Sequence, residues 1–235
     1  MRIHTHEQLL EALDEIVARG ARGDRTRPDA AAFWAELLTR EGHPLATDLP
    51  DENLLDWHAR GLLGDLVDAQ VLDIGCGRGR NTRWFAEQGA HVDGIDIATN
   101  LLGADSVAMP QGATLTTCDV LHDELLHTAY DLVYDSGCFH HLAPHRRETY
   151  RDRLMRVLVP GGRFGIVTFA DADIESPSDV DILASGDVGG GIGYSLQDLA
   201  QIFEPLRLLE GRGVRADVDG AFGETFLNAA LFQRE

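Results

Sequence analysis

The sequence predicts an α/β fold, in which helices cover both faces of a mostly parallel β-sheet. From residue 70 onward, short apolar segments of strand length alternate with segments of helical periodicity. Such alternation, with right-handed crossovers, gives a parallel sheet between two helical layers. The final apolar segments are too close together for another helical crossover. A chain of 235 residues is long enough for one such domain with an appendage.

The first seventy residues predict helices and loops without strands. Helical periodicity runs over residues 6–19 and again over residues 53–63. Between them, a second helix is expected to begin near Asp29, which would cap it. This part of the chain contains no nucleotide-binding motif. We therefore expect residues 1–65 to form a helical cap and substrate lid on a second domain, residues 66–235.

The second domain accounts for the predicted sheet. Strands are expected at residues 71–74, 91–95, 113–118, 132–135 and 163–169, with helices at 81–88, 101–109 and 145–158. A glycine loop at 186–193 precedes a helix at 195–203 and two apolar segments at 206–210 and 224–232. The short connection between these last two segments predicts an antiparallel hairpin.

The composition argues against several classes of function. Acidic residues number 39 against 20 basic ones, and a net charge of −19 repels phosphate backbones and anionic lipid heads. All the basic residues are arginine, so neither a Schiff-base lysine nor the lysine of a P-loop is present. No apolar segment is long enough to span a membrane. We expect no nucleic-acid partner and no membrane association.

The N-terminal residues and the cysteines favour a cytoplasmic location. Acidic residues occupy the stretch where a signal peptide would need an apolar core. Cys76, Cys118 and Cys138 are far apart in the sequence, which predicts neither a zinc-binding pair nor a disulfide framework.

The densest motif is a glycine-rich turn after the first predicted strand. It reads Asp73-Ile74-Gly75-Cys76-Gly77-Arg78-Gly79. Glycines permit the positive φ angles and the close backbone approach that a bound nucleoside requires. Asp96 ends the next strand about 20 residues after Gly75, the position at which an acidic residue binds a ribose diol. Position 80 is arginine where a dinucleotide motif has glycine, which favours a nucleoside without phosphates.

These motifs resemble those of class I S-adenosylmethionine-dependent methyltransferases. The similar segments are residues 73–79, 94–96, 118–119, 130–135 and 158–163, in the order and spacing of that family. The resemblance extends over roughly residues 66–235. It implies a Rossmann-like seven-stranded sheet in a three-layer sandwich, with the last strand reversed. It also implies S-adenosyl-L-methionine as the cofactor and methyl transfer as the activity.

The resemblance further implies which residues hold the cofactor. The three glycines of the motif would line it, with Asp73 near its amino group and Asp96 on the ribose hydroxyls. Asp119 would bind the adenine amino group, and the backbone of Asp135 would lie beside the methionine amino group. The full set expected to bind the cofactor is Asp73, Gly75, Cys76, Gly77, Gly79, Asn81, Asp96, Ile97, Asp119, Val120 and Asp135.

The segment after the fourth strand is the candidate catalytic region. It reads Asp135-Ser136-Gly137-Cys138-Phe139-His140-His141-Leu142, where amino-directed DNA and protein methyltransferases carry an Asn/Asp-Pro-Pro-aromatic tetrad. The segment is more similar to small-molecule methyltransferases of the thiol, halide and tellurite group. His140 and His141 are candidate general bases, because imidazole titrates near neutral pH. Adjacent side chains point apart, so at most one is expected to serve. We expect no metal ligands.

Four further side chains are candidates for acceptor binding: Trp34, Trp57, His58 and Tyr194. Ordinary helix packing is the competing interpretation for the two tryptophans. Tyr194 follows the glycine loop at 189–193, which is suited to act as a lid.

The sequence thus predicts methyl transfer to an S, N or O atom of a small molecule by direct in-line displacement. The arginine-only composition is typical of GC-rich bacterial genomes, where such enzymes modify secondary metabolites. We expect a monomer or a homodimer. The alternatives are a protein or tRNA methyltransferase, or a cofactor-binding protein of this fold that does not methylate.

Overall fold

A computed structural model describes residues 2–20, 24–101 and 108–235. Its described residues form one eight-stranded sheet. The strands are β1 (Gln70–Ile74), β2 (His91–Asp96), β3 (Ala113–Thr117), β4 (Tyr130–Ser136), β5 (Leu158–Ala170), β6 (Gly193–Tyr194), β7 (Arg207–Gly213) and β8 (Leu227–Gln233). The main path runs β3-β2-β1-β4-β5-β8-β7, and the two-residue β6 pairs with the end of β5.

The strand directions confirm the predicted fold class. Strands β1 to β5 all run parallel to one another. Strand β8 runs antiparallel to both β5 and β7, which makes β7 and β8 the expected hairpin with a reversed last strand. Seven strands along the main path match the predicted number, and β6 is an addition that is too short for periodicity to reveal.

Seven α-helices are present in the described residues. They are α1 (His6–Ala18), α2 (Ala31–Thr39), α3 (Glu52–Ala59), α4 (Arg80–Glu87), α5 (Arg146–Val157), α6 (Asp179–Ser185) and α7 (Leu196–Ile202). Helix α6 was not among the predicted elements. Most of the helix expected at 101–109 lies outside the described residues. Throughout the described ranges, no helix has the length and apolar composition that crossing a membrane requires.

The start of α2 corrects one expectation. Asp29 lies inside a short 3-10 turn, Pro28–Ala30, and the helix begins after Ala30 without a side-chain cap. Pro28 explains the difference, since its fixed φ favours a first helical position and so begins the turn ahead of Asp29.

Two apolar clusters form the core, one on each face of the sheet. Helix α3 belongs to this core, because Leu54 and Trp57 are fully buried against residues of β1, β4 and β8. Helix α1 instead packs against α6, and α2 lies near the carboxyl ends of the strands. The domain boundary at residue 65 therefore stays a prediction. Within residues 1–65, α1 and α2 are the helices that lie outside this core, where a cap would lie.

Candidate active site

A cavity of about 350 Å³ lies at the carboxyl ends of β1, β2, β4 and β5. This is the edge at which open α/β sheets bind ligands. The cavity brings together most of the residues singled out in the sequence: Trp34, Asp73, Gly75, Cys76, Gly77, Asn81, Asp96, Ile97, Asp119, Val120, His140 and His141. Helix α2 covers one side, and the connection between β7 and β8 covers another.

The glycine turn shapes one wall of the cavity. Gly75, Gly77 and Gly79 have φ angles of +67°, +54° and +78°, which other residues rarely adopt. A Cβ atom at Gly75 would lie 2.6 Å from Cys138 Cβ, so the two loops approach too closely for any side chain. Gly79 does not line the cavity. It precedes α4, where a Cβ would lie 2.6 Å from Met109 Cε, and so it serves helix packing.

Asp73 on β1 is buried without a cationic partner in contact. Thr82 Oγ1 donates a hydrogen bond of 2.6 Å to Asp73 Oδ2, and no described residue donates to Oδ1. Burial raises the pKa of Asp73 to about 7, despite this hydrogen bond, and the charge of Asp51 contributes to the rise. The carboxyl group is therefore suited to a ligand that brings a positive charge or an amino group.

Asp96 ends β2 and holds the glycine turn. Its Oδ2 accepts a hydrogen bond of 3.0 Å from the Gly77 amide, and its Oδ1 accepts one of 2.7 Å from the Ala98 amide. Burial raises the pKa of Asp96, although these two hydrogen bonds act against the rise. Each carboxylate oxygen can accept a further hydrogen bond, which suits the group to a diol.

Asp119 follows the end of β3, and residues of the turn after it donate hydrogen bonds to its carboxylate. Its carboxylate accepts hydrogen bonds of 2.9 Å from the Leu121 amide and from His122 Nδ1. Asp119 and Val120 both line the cavity, with Ile97 on the neighbouring strand end. The side chain thus has spare acceptor capacity at a fixed position.

Asp135 has a different position from the other strand-end carboxylates. It is fully buried and does not line the cavity. Its side chain accepts hydrogen bonds from the Cys138 amide at 2.8 Å and from Tyr150 Oη at 2.7 Å. Burial raises the pKa of Asp135 to about 6. The side chain fixes the turn that carries residues 138–141 into the cavity wall.

His140 and His141 are hydrogen-bonded to each other. The Phe169 amide donates to His140 Nδ1 at 3.1 Å, and the Nε2 atoms of the two histidines are 3.1 Å apart. His140 also stacks on the Phe169 ring, with 3.9 Å between ring centroids. Burial lowers the pKa of His140 well below its usual value, and burial together with the Arg25 charge lowers that of His141 to about 3. Both imidazoles are therefore neutral at physiological pH.

Three residues that the sequence suggested for acceptor binding do not line the cavity. Trp57 is buried in the core, where its Nε1 donates to Glu210 at 3.1 Å. His58 is exposed beside Trp84, and Tyr194 is buried against Phe139. Of the four suggested residues, only Trp34 lines the cavity. Periodicity identifies the apolar face of a helix but not the surface that it covers, which explains these corrections.

A buried polar network beside the cavity was missed from the sequence. Asp51 pairs with Arg80 and accepts hydrogen bonds from Asn81 Nδ2 at 2.9 Å and Tyr134 Oη at 2.7 Å. Arg80 also donates to Ser136 Oγ at 3.3 Å. The members of the network come from three separate segments of the chain, so no local motif indicates them. The network fixes the Arg80 side chain at the cavity wall.

The wall also contains several residues that no motif indicated: Arg25, Leu37, Leu38, Phe169, Phe222 and Phe226. Among the described residues, no cluster of three or more histidine, cysteine or acidic side chains has the geometry to hold a metal ion.

Comparison with protein families matches residues 71–162 to a family described as a methyltransferase domain. An uncharacterised methyltransferase of Synechocystis is 33% identical over 112 residues, covering 47% of this chain and 49% of that protein. The 2-heptyl-1-hydroxyquinolin-4(1H)-one methyltransferase of Mycobacteroides abscessus is 33% identical over 123 residues, covering 48% and 54%. The chain spans about half the length of these curated relatives.

Solved structures share the fold at lower sequence identity. The Burkholderia thailandensis 1,6-didemethyltoxoflavin-N1-methyltransferase aligns with a TM-score of 0.59 and 19% identity, covering 100% of this chain and 92% of that one. The N-methyltransferase NodS of Bradyrhizobium japonicum aligns with a TM-score of 0.59 and 16% identity, covering 87% and 97%. Both similarities concern the fold.

Proposed function

We propose that this chain is a class I S-adenosylmethionine-dependent methyltransferase and that it transfers a methyl group to an S, N or O atom of a small molecule. The observation that carries the proposal is a single cavity with two kinds of wall. One wall has the glycine turn and the strand-end carboxylates Asp73, Asp96 and Asp119. The other has aromatic and aliphatic side chains, among them Trp34 and Phe169. A polar cofactor and an apolar acceptor can thus share one enclosed space.

The residues of the first wall fit the cofactor. Gly75 and Gly77 leave room for its close approach, and Asp73 offers a buried carboxyl group to its amino group. Asp96 has free acceptor capacity for the ribose hydroxyls, and Asp119 for the adenine amino group. When bound, the cofactor supplies a methyl group already activated on sulfur, so that alignment of the acceptor provides most of the rate.

The histidine pair supports catalysis by positioning. His140 uses Nδ1 to accept from the Phe169 amide, and its Nε2 faces His141. Neither imidazole has the pKa of an effective base at neutral pH. We therefore propose that His140 fixes His141 and that His141 contacts the acceptor. General-base catalysis by either residue is the alternative that mutagenesis distinguishes.

The names of relatives support a small acceptor with a flat ring system. They include a hydroxyquinolone methyltransferase, an O-methyltransferase of ubiquinone biosynthesis and a toxoflavin-precursor N-methyltransferase. The net charge of −19 also disfavours a nucleic-acid acceptor. We propose a cytoplasmic bacterial enzyme, monomeric or homodimeric, whose helices α1 and α2 act as the lid.

Calorimetric titration with S-adenosylmethionine, and separately with S-adenosylhomocysteine, tests the proposal. We expect both to bind in the micromolar range, followed by methylation of members of a panel of thiols, phenols and amines. Absence of binding by both compounds would overturn the cofactor assignment. Binding without turnover of any acceptor would favour a non-catalytic cofactor-binding protein.

A further inference from the structure

The hydrogen bonds of the histidine pair determine which nitrogen carries each proton. His140 Nδ1 accepts from the Phe169 amide, so in the neutral ring the proton is on Nε2. That Nε2–H points at His141 Nε2, 3.1 Å away, which must therefore be the acceptor. The proton of neutral His141 is then on Nδ1. No described residue accepts from this Nδ1–H, and His141 lines the cavity, so it is available as a donor to a ligand.

Arg25 brings a positive charge to the same end of the cavity. It lines the cavity, and its charge contributes to the lowered pKa of His141. Its guanidinium lies 4.4 Å from the Phe33 ring centroid, and among the described residues it has no carboxylate partner. The adjacent acidic residue, Asp24, pairs with Arg146 at 2.5 Å. A guanidinium to which no described carboxylate is paired, beside an N–H donor, is an arrangement that binds an anion.

The surfaces around this pair of donors are flat and apolar. The ring centroids of Trp34 and His141 are 4.8 Å apart. Trp34 Nε1 donates a hydrogen bond of 2.6 Å to the Arg25 carbonyl oxygen. Phe169 and Phe226 also line the cavity, with 6.1 Å between their ring centroids. Such walls favour a planar ring over a flexible polar chain.

We infer that the acceptor is a flat, acidic molecule bound as its anion, with the charged atom held by the Arg25 guanidinium and the His141 Nδ1–H. This inference rests on the proposed function and names its substrate class: phenols, enols or thiols of aromatic ring systems. The acceptor ionises before or on binding and releases its proton to solvent.

The electron balance needs no protein base. A lone pair of the acceptor anion forms the new bond to the methyl carbon, and the carbon–sulfur bond breaks with its electron pair remaining on sulfur. A sulfonium cation and an anion thus become a neutral thioether and a neutral methylated product. The role of Arg25 and His141 is to hold the anion in place, which is consistent with imidazoles that are poor bases.

Binding of 4-nitrophenol tests the inference, because its phenolate absorbs at a different wavelength from the neutral phenol. The measurement is made with saturating S-adenosylhomocysteine, so no turnover occurs, and 4-nitrotoluene serves as the neutral probe of similar shape. We expect 4-nitrophenol to bind as phenolate and about tenfold or more tightly than 4-nitrotoluene, the effect of one charge-assisted hydrogen bond. Equal binding of the two probes, or no binding of 4-nitrophenol, would overturn the inference.

Variants identify the residues responsible. Arg25→Gln and His141→Phe should each weaken 4-nitrophenol binding about tenfold and leave 4-nitrotoluene unchanged. His141→Gln retains an N–H donor and should recover part of the affinity. Arg27→Gln, at an exposed arginine two residues away, is the matched control and should behave like the unmodified protein. Unchanged 4-nitrophenol binding in Arg25→Gln, with S-adenosylhomocysteine still bound, would overturn this inference alone. Loss of S-adenosylhomocysteine binding by the unmodified protein would instead overturn the proposed function.

Discussion

Thr82 Oγ1 donates a hydrogen bond of 2.6 Å to Asp73 Oδ2, and it is the sole hydrogen bond that the described residues give this carboxyl group. The pairing couples α4 to β1 directly behind the glycine turn. A hydroxyl group contributes no charge, so the pKa of the buried carboxyl remains at about 7. The site thus holds an acidic group that ionises in the physiological range and faces the region proposed for the cofactor amino group.

The first prediction is that cofactor affinity rises with pH. Below pH 7 Asp73 is mostly protonated, and a cationic ligand must displace its proton; above pH 7 the carboxylate is already present. The affinity for S-adenosylmethionine should therefore increase between pH 6 and pH 8 and level off above. Calorimetry at three pH values measures this change. Asp73→Asn should bind more weakly at pH 8 and show a flatter profile, whereas a flat profile in the unmodified protein would contradict the prediction.

The second prediction concerns Asp96. Its carboxylate braces the glycine turn through Gly77 and is proposed to bind the ribose diol. Asp96→Ala should weaken cofactor binding by about 1–3 kcal/mol through lost charge-assisted hydrogen bonds. Glu87→Ala, at an exposed residue of α4, is the control for a lost surface charge. The ribose assignment would be wrong if titration gave Asp96→Ala the affinity of the unmodified protein.

The third prediction separates two costs of adding a side chain at a glycine with a positive φ angle, namely steric contact and backbone strain. Gly75 and Gly161 have φ angles of +67° and +81°, but a Cβ would meet Cys138 only at Gly75 and open space at Gly161. Gly161→Ala should cost about 1 kcal/mol of unfolding free energy through strain alone. Gly75→Ala should cost more and also weaken cofactor binding. Denaturant unfolding and calorimetry on both variants measure the difference, and equal losses would show that the contact with Cys138 is easily relaxed.

The cavity wall that we propose for the cofactor could be predicted because its signals are local in the sequence. The glycine turn and the acidic strand ends each follow an apolar strand, and parallel strands bring their carboxyl ends to one edge. The wall that we propose for the acceptor depends on packing between distant segments. Arg25 and Phe226 lie 201 positions apart, yet both line the cavity. Trp34 and Trp57 both lie in short apolar helical segments of the sequence. Trp34 nevertheless lines the cavity and Trp57 is buried in the core, because packing between distant segments decides which surface each helix covers.

The last prediction concerns the attachment of α1. Arg146, at the start of α5, is buried and binds both Asp14 of α1 and Asp24. His145 also bonds to Asp14, at 2.8 Å. Burial alone would raise the pKa of Asp14, but the hydrogen bond from His145 and the charge of Arg146 lower it to about 2. The ion pair therefore persists at every pH above that range and is lost only as the pH falls toward 2.

Removing Arg146 should release α1 from the domain, because it leaves two carboxylates without their shared partner. Arg146→Met should destabilise the protein by about 3–5 kcal/mol, the usual cost of breaking a buried ion pair from one side. The amides of α1 should then exchange with solvent faster than those of β1 and β4. Arg19→Met, which removes an exposed ion pair with Glu15 at the end of α1, is the control and should cost less than about 1 kcal/mol. If hydrogen exchange in Arg146→Met accelerated equally throughout the sheet, α1 would be part of the cooperative core and not a separable lid.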